Sequence, residues 1–243
     1  MNISPETTVG ELAARHPATV KVFQRHKVEF CCGGHRTLAQ TCGDARIACE
    51  ALVEELRQAV EQAPPRVTWA DRPLADLVDH IVEAFHDPIR HELPGLQQLS
   101  ARLREHGDCR SGVPAVLHYE LGRFGAGLMA QMRTEETELF PLLVRRTTAQ
   151  LDRLEQIRLT DRRRELDTFH YDAAATLRLL RRVTGGYHPP ANACAVARAL
   201  YRGLDEFEAL MQLHVHLEIN VLIPRAAALG RCGTDGHPPD HGY

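Results

Sequence analysis

Polar residues of the types that bind metal ions interrupt four apolar patterns in this sequence. Four long segments carry apolar residues three or four positions apart, which is the spacing of one face of an α-helix. Burying a carboxylate without a partner is unfavourable, so an apolar core would not hold these residues unaided. A bound metal ion is the simplest compensation. The interrupting residues are His86, Glu135, His170, His214 and Glu218, with Gln131 four positions before Glu135.

Spacing and ligand chemistry narrow the kind of metal site. His214 and Glu218 are four residues apart and therefore share one helix face, as do Gln131 and Glu135. Three imidazoles and two carboxylates suit iron, manganese or zinc, and carboxylates from two helices suit a dinuclear site. The alternative is that these residues are core polar groups that satisfy one another, or half-exposed residues near the ends of the bundle. Either case requires coincident interruptions in four separate helices.

The elements that position these side chains are predicted to be helices. The chain of 243 residues is 44% hydrophobic but only 5% aromatic, and it shows no strand or hairpin signal. We therefore predict an all-α fold, a four-helix bundle preceded by a small domain of three or four short helices. Pro88, Pro94 and Pro141 are expected to kink or end their helices. The predicted ranges are 1–62 for the small domain, 63–73 for a linker, 74–105, 114–146, 154–183 and 192–228 for the bundle helices, and 229–243 for a flexible tail.

Charge and hydropathy exclude several classes of partner. Lysine and arginine number 29 against 32 aspartate and glutamate, which gives a net charge of −3 and no basic footprint for nucleic acid. The amino terminus lacks a basic segment followed by an apolar one, and no run of about 18 apolar residues occurs. We therefore expect a cytoplasmic protein that binds neither nucleic acid nor a membrane.

Five of the seven cysteines fall into two groups, and Cys109 and Cys232, in a loop and in the tail, stay unassigned. Cys31 and Cys32 precede two glycines and a helix expected to begin near His35, which would place both thiols at a helix amino terminus. They are interpreted as a redox pair, a metal-handling site or an electron donor to the metal site, and the alternative is a turn with two incidental thiols. Cys42, Cys49 and Cys194 lie in helical patterns and are interpreted as small core residues.

Several motifs together resemble a known family, the hemerythrin-like di-iron proteins of the RIC (repair of iron centres) type. The segment FCCGGHRTLAQ resembles the small ScdA-type amino-terminal domain of that family, and the resemblance spans about residues 8–228. It implies a cytoplasmic non-haem di-iron protein of the nitrosative and oxidative stress response, which repairs damaged iron-sulfur clusters by delivering iron. It also implies two irons with an oxo bridge, held by His86, Glu135, His170, His214 and Glu218, with the two glutamates bridging. The bundle motifs are FHDPIRHELP, EETELFPLL, TFHYDAAATL and HVHLEINVLIPRA.

One position departs from the family pattern. Gln131 stands where the family has a histidine, and an amide oxygen is a weaker ligand than an imidazole nitrogen. We therefore expect an asymmetric site that either releases iron and binds exogenous ligands more easily, or holds a single iron.

Several functions remain open at this point. Iron-centre repair or iron donation is favoured over a turnover enzyme, and damaged iron-sulfur proteins are the expected partners. The alternatives are a binding or sensing protein for nitric oxide or dioxygen, a nitric oxide reductase, and a metal-free structural bundle. The sequence also leaves a homodimer open.

Overall fold

The computed structural model describes residues 3–31, 33–63, 69, 72–105 and 115–232. Helices make up the secondary structure of these ranges, in which no strand is present, and the all-α prediction is confirmed. None of the helices described is both long and apolar enough to cross a membrane. Most of the predicted linker lies outside the described residues, as does the predicted tail beyond 232.

Within the described residues, the amino-terminal unit contains four short helices with a hydrophobic core of their own. Thr8 caps the first helix by accepting a hydrogen bond from the backbone of Glu11. Thr37 and Gln40 form a reciprocal capping box at the start of the third helix, which fixes where that helix begins. The core of the unit includes Phe23 and Phe30, both fully buried. The helices are α1 (Val9–Arg15), α2 (Ala18–Arg25), α3 (Leu38–Ala45) and α4 (Cys49–Glu61).

In the part of the bundle that the structure describes, there are four long helices, and three of them contain a π-helical turn. The predicted apolar stripes face a common core, which confirms the four-helix bundle. The fourth bundle helix runs to Cys232, four residues beyond its predicted end. Cys194 caps that helix and is disulfide-bonded, so it is not a simple core thiol. The bundle helices are A (α5, Leu74–Ile81; π turn, Val82–His86; α6, Asp87–Glu105), B (α7, Ala115–Thr134; π turn, Glu135–Leu139; α8, Phe140–Thr148), C (α9, Arg153–Val183) and D (α10, Ala195–His216; π turn, Leu217–Leu222; α11, Ile223–Cys232).

Each π turn is followed by a proline two residues after its last residue, namely Pro88, Pro141 and Pro224. A proline in a helix lacks an N–H group, and its ring clashes with the carbonyl group four positions earlier. In all three cases that earlier residue lies inside the widened turn, which relieves the clash. The helices therefore continue through Pro88 and Pro141, and α6 also contains Pro94. None of these prolines ends its helix.

The amino-terminal unit packs directly on the π turn of bundle helix D. Asn220 lies in that turn, and its side-chain amide donates to the backbone oxygens of Phe30 and Cys31, both at 3.3 Å. The ring of Phe30 meets the edge of His216 with centroids 5.5 Å apart. Gly34 lies so close to Asn220 that a methyl group at Gly34 would come within 2.7 Å of the side-chain oxygen. This contact fixes the unit against the segment of helix D that carries Glu218.

Candidate metal centre

Four of the predicted ligands meet inside the bundle at the level of the π turns. His86, Glu135, His214 and Glu218 each offer a ligand atom, and these atoms all lie within 4.8 Å of one another. Their side chains are at most 1% exposed. The Nε2 atoms of His86 and His214 are 2.9 Å apart, His86 Nε2 is 3.4 Å from Glu135 Oε2, and His214 Nε2 is 3.1 Å from Glu218 Oε1.

The donor set of this cluster fits a divalent cation. Glu135 Oε2 and both carboxylate oxygens of Glu218 are buried and have no hydrogen-bond partner. Buried carboxylate oxygens without donors are strongly unfavourable, and a positive ion at their centre would remove that cost. The imidazoles of His214 and His170 face the two Glu218 oxygens at 3.1 and 3.0 Å, but neither contact is aligned as a hydrogen bond. Imidazole nitrogens with carboxylate oxygens suit iron, manganese or zinc.

His170 and Gln131 flank the four-residue cluster without belonging to it. His170 is buried, and its Nε2 lies 3.0 Å from Glu218 Oε2, whereas His214 faces the other oxygen of the same carboxylate. Gln131 donates through Nε2 to Glu135 Oε1 at 3.0 Å. Glu218 therefore presents its two oxygens to two different imidazoles. Glu135, in contrast, has one oxygen facing His86 and the other engaged by an amide N–H group.

The two buried carboxylates have opposite pKa shifts. Burial raises the pKa of Glu135 to about 8, and the nearby charge of Glu218 adds to this increase. His214 and Gln131 oppose the increase without cancelling it. Burial would also raise the pKa of Glu218, but its contacts with the imidazoles of His214, His170 and His86 outweigh this effect, and its pKa lies well below the ordinary value. Glu218 is therefore the carboxylate that holds its negative charge at the centre of the cluster.

Glu136 orients His86 from outside the cluster, a role that the sequence pattern did not indicate. Its Oε1 lies 2.6 Å from His86 Nδ1 and also accepts from Arg90. When the Nδ1–H group donates to this carboxylate, the lone pair of Nε2 is left to face the cluster. These two hydrogen bonds outweigh the effect of burial and lower the pKa of Glu136. Glu136 lies off the apolar stripe of its helix. In the sequence, its position next to Glu135 is the feature that could have indicated this role.

Two phenylalanine rings cover the imidazoles of the cluster. Phe140 stacks on His86 with centroids 5.7 Å apart, and Phe85 stacks on His214 at 6.1 Å. Both rings are buried in the bundle core. This apolar surround keeps the local dielectric constant low and so strengthens the interaction of the carboxylates with any bound cation.

Cys31 lies in the bundle core rather than at a helix end. It is 7% exposed and packs with the hydrophobic cluster of the bundle. Helix α3 begins at Leu38 after the Thr37 cap, so the expected helix start near His35 is wrong. Cys32 lies outside the described residues.

A helical bundle that buries a cation site built from histidine and glutamate defines the hemerythrin-like class. Residues 76–226 match the hemerythrin HHE cation binding domain, and residues 5–60 match ScdA_N, a domain of unknown function (DUF542). The chain belongs to the hemerythrin HHE family, in the arrangement that carries an ScdA_N domain. It is similar to proteins named iron-sulfur cluster repair protein YtfE. The relative from Citrobacter koseri is 33% identical over 90% of this chain and 96% of its own length, and that from Pectobacterium atrosepticum is 32% identical over 91% and 96%.

Proposed function

We propose that this protein repairs damaged iron-sulfur clusters by holding iron in the bundle and delivering it to the damaged protein. The observation that carries the proposal is the buried cluster of His86, Glu135, His214 and Glu218, in which three of the four carboxylate oxygens make no hydrogen bond. The relatives match nearly the whole chain, and their names support the same function. Iron is then the cargo of the protein, and iron-sulfur proteins that have lost iron are its partners.

The four-residue cluster would hold one iron ion more firmly than a second. His86, His214, Glu135 Oε2 and Glu218 Oε1 surround a common point and would bind the first ion. A second ion between His170 and Glu218 would have two ligand atoms from these residues, one imidazole nitrogen and Glu218 Oε2. The remaining oxygen, Glu135 Oε1, accepts a hydrogen bond from Gln131 and is a poorer ligand for that reason.

Gln131 therefore favours release of the second ion, which is the property that an iron donor needs. A histidine at this position would place an imidazole nitrogen where the amide now donates to Glu135. The same substitution would also free Glu135 Oε1 from its present donor. Both changes strengthen binding of the second ion and slow its departure.

The test is transfer of iron from the loaded protein to an iron-sulfur protein whose cluster has been partly dismantled, with sulfide and a thiol reductant present. We expect the absorption of the rebuilt cluster to return at a rate set by loss of the second iron. Gln131→His should slow this transfer by about tenfold or more, the usual cost of changing one contact in a metal site. Gln131→Leu, which frees Glu135 Oε1 without adding a ligand, is the matched comparison and should slow the transfer less than Gln131→His does. Transfer that is equally fast in all three proteins would contradict the role of Gln131, and no transfer from the wild type would contradict iron delivery.

Reversible binding of nitric oxide or dioxygen is the second candidate function, because the hemerythrin domain fits small-ligand binding. The two functions differ in whether iron leaves the protein. A strong ferrous chelator should remove iron within the time of a transfer assay if the protein is a donor. Iron that resists the chelator while the visible spectrum responds to nitric oxide would favour the binding protein.

A further inference from the structure

A line of charged side chains connects His86 with the protein surface. The His86 side chain is fully buried, whereas Glu136 is 27% exposed, Arg90 is 35% exposed and Asp87 is 62% exposed. Glu136 Oε1 lies 2.6 Å from His86 Nδ1 and accepts a hydrogen bond from Arg90 Nη2. Arg90 Nη1 in turn donates to Asp87 Oδ1 at 2.9 Å. Each side chain therefore contacts the next, from a candidate metal ligand in the core to a carboxylate in water.

The other sides of the cluster are less suited to the passage of a cation. Phe85 and Phe140 cover the imidazoles with apolar rings, and a cation that moves against such a surface loses its charged and polar partners. Gln131, which contacts Glu135, is also partly exposed. It turns an N–H group toward that carboxylate, and an N–H group does not bind cations. Among the described contacts of the cluster, Glu136 therefore offers the carboxylate through which an ion can reach the surface.

Glu136 has an oxygen atom that these hydrogen bonds do not use. The contacts with His86 and Arg90 both involve Oε1, and neither involves Oε2. Carboxylate oxygens serve as ligands for ferrous iron in proteins. If Glu136 turns from His86 toward the ion, the imidazole also loses the acceptor that makes it a stronger ligand. A single side-chain movement would thus add a ligand on the outer side of the cluster and weaken one of the present ligands.

We propose that Glu136 is a transient iron ligand that passes the ion between the cluster and the surface, and that Arg90 restrains this movement. The inference rests on the proposed function, because it takes the bundle cluster as the place where iron is held. Arg90 keeps Glu136 against His86 while iron is stored. When Arg90 releases Glu136, its second partner, Asp87, keeps the guanidinium group nearby. Glu136 can then be restrained again after the ion has left.

The rates of iron uptake and release test the role of Arg90. Rapid mixing of the full-length protein with ferrous iron, without oxygen, measures uptake. Mixing of the loaded protein with a chromogenic chelator measures release, at chelator concentrations that no longer affect the rate. We expect Arg90→Gln to speed both uptake and release by about two- to fivefold, the value of a partly exposed ion pair. Because both rates rise together, the affinity for iron should be nearly unchanged.

The two rates together separate this role from simpler ones. If the Arg90 charge merely repels the ion, Arg90→Gln will speed uptake but slow release, because loss of a positive charge favours the bound cation. If Arg90 merely helps Glu136 to orient His86, release will be faster and uptake unchanged. Either result would overturn the proposal, as would unchanged rates. Arg162→Gln is the matched control: the Arg162 side chain is 32% exposed and pairs with Glu138 on the same π turn, and both rates should stay at wild-type values.

Glu136→Gln tests the transient ligand itself. An amide is a weaker ligand than a carboxylate, so we expect uptake of ferrous iron to slow by about tenfold. Uptake at the wild-type rate would overturn the proposal. Exchange with a chelator involves no iron-sulfur protein, so unchanged rates in these variants would leave iron delivery intact. Failure of the loaded wild type to rebuild a damaged cluster would instead contradict iron delivery, whatever the exchange rates are.

Discussion

Substitution of Glu136 tests how the protein orients a histidine of the candidate metal site. The Glu136 carboxylate lies 2.6 Å from His86 Nδ1 and fixes both the orientation of the ring and the position of its proton. In Glu136→Gln, a neutral amide replaces the charged acceptor while the size of the side chain is kept. The bond to His86 weakens, the ring is less firmly held, and Nε2 becomes a less basic ligand. We expect weaker metal binding without any loss of a direct ligand.

The expected loss of metal affinity in Glu136→Gln depends on how far Glu136 is exposed to water. Loss of a residue that orients a metal ligand typically costs about 10- to 100-fold in affinity. The Glu136 side chain is 27% exposed and also holds Arg90, so water screens part of its charge. We therefore expect a loss in the lower half of that range, about 10- to 30-fold, which corresponds to about 1.4–2 kcal/mol of binding free energy.

A competition titration against a chromogenic chelator, performed with ferrous iron in the absence of oxygen, measures this affinity. Glu138→Gln is the matched control, because Glu138 lies on the same π turn but is 46% exposed and pairs with Arg162 at the surface. We expect less than about a twofold change in this variant, as for other exposed ion pairs. An unchanged affinity in Glu136→Gln, or an equal loss in the two variants, would refute this account of how His86 is oriented.

The contact between the amino-terminal unit and the bundle gives two further predictions. Gly34→Ala should lower the free energy of unfolding by about 1–3 kcal/mol, because the new methyl group would meet Asn220 and the backbone oxygen of Phe30. Gly43→Ala is the control: it lies in open space on α3 and should raise the free energy of unfolding by up to about 1 kcal/mol. Chemical denaturation measures both values, and equal effects of the two substitutions would contradict the packing of Gly34 on Asn220. Burial lowers the pKa of His216 to about 4, so the unfolded state binds a proton that the native state does not as pH falls from about 6.5 to 4. Metal-free wild type should then lose about 3 kcal/mol more stability over that range than His216→Asn, and parallel pH profiles would contradict this.

The sequence predicted the bundle, and it singled out the residues that cluster inside it, because both depend on a local period. Apolar residues spaced three or four apart define the buried face of each helix, and a histidine or glutamate within that face stands out. Glu136 was missed because it lies beside the stripe and acts through a contact with another helix. The π turns leave no periodic signal of their own, although a proline two residues after each turn marks them in retrospect.

Contacts between distant segments account for the other differences. His216 is buried by Phe30 of the amino-terminal unit, which no pattern within helix D reveals. Gln131 could be recognised in the sequence as a departure from the family pattern. Its role as a donor to Glu135, rather than a ligand, required the side-chain geometry.

The most direct test of the central claim is the metal content of the full-length chain purified without oxygen, measured by elemental analysis for the wild type and Glu218→Ala. Glu218 faces three imidazoles and carries two buried oxygens without donors, so its removal should abolish binding at the cluster. We predict iron in the wild type, at one firmly held ion per chain with a second that a mild chelator removes, and little or none in the variant. A wild type without iron, or a variant that retains as much iron as the wild type, would contradict the assignment of this cluster as the iron site.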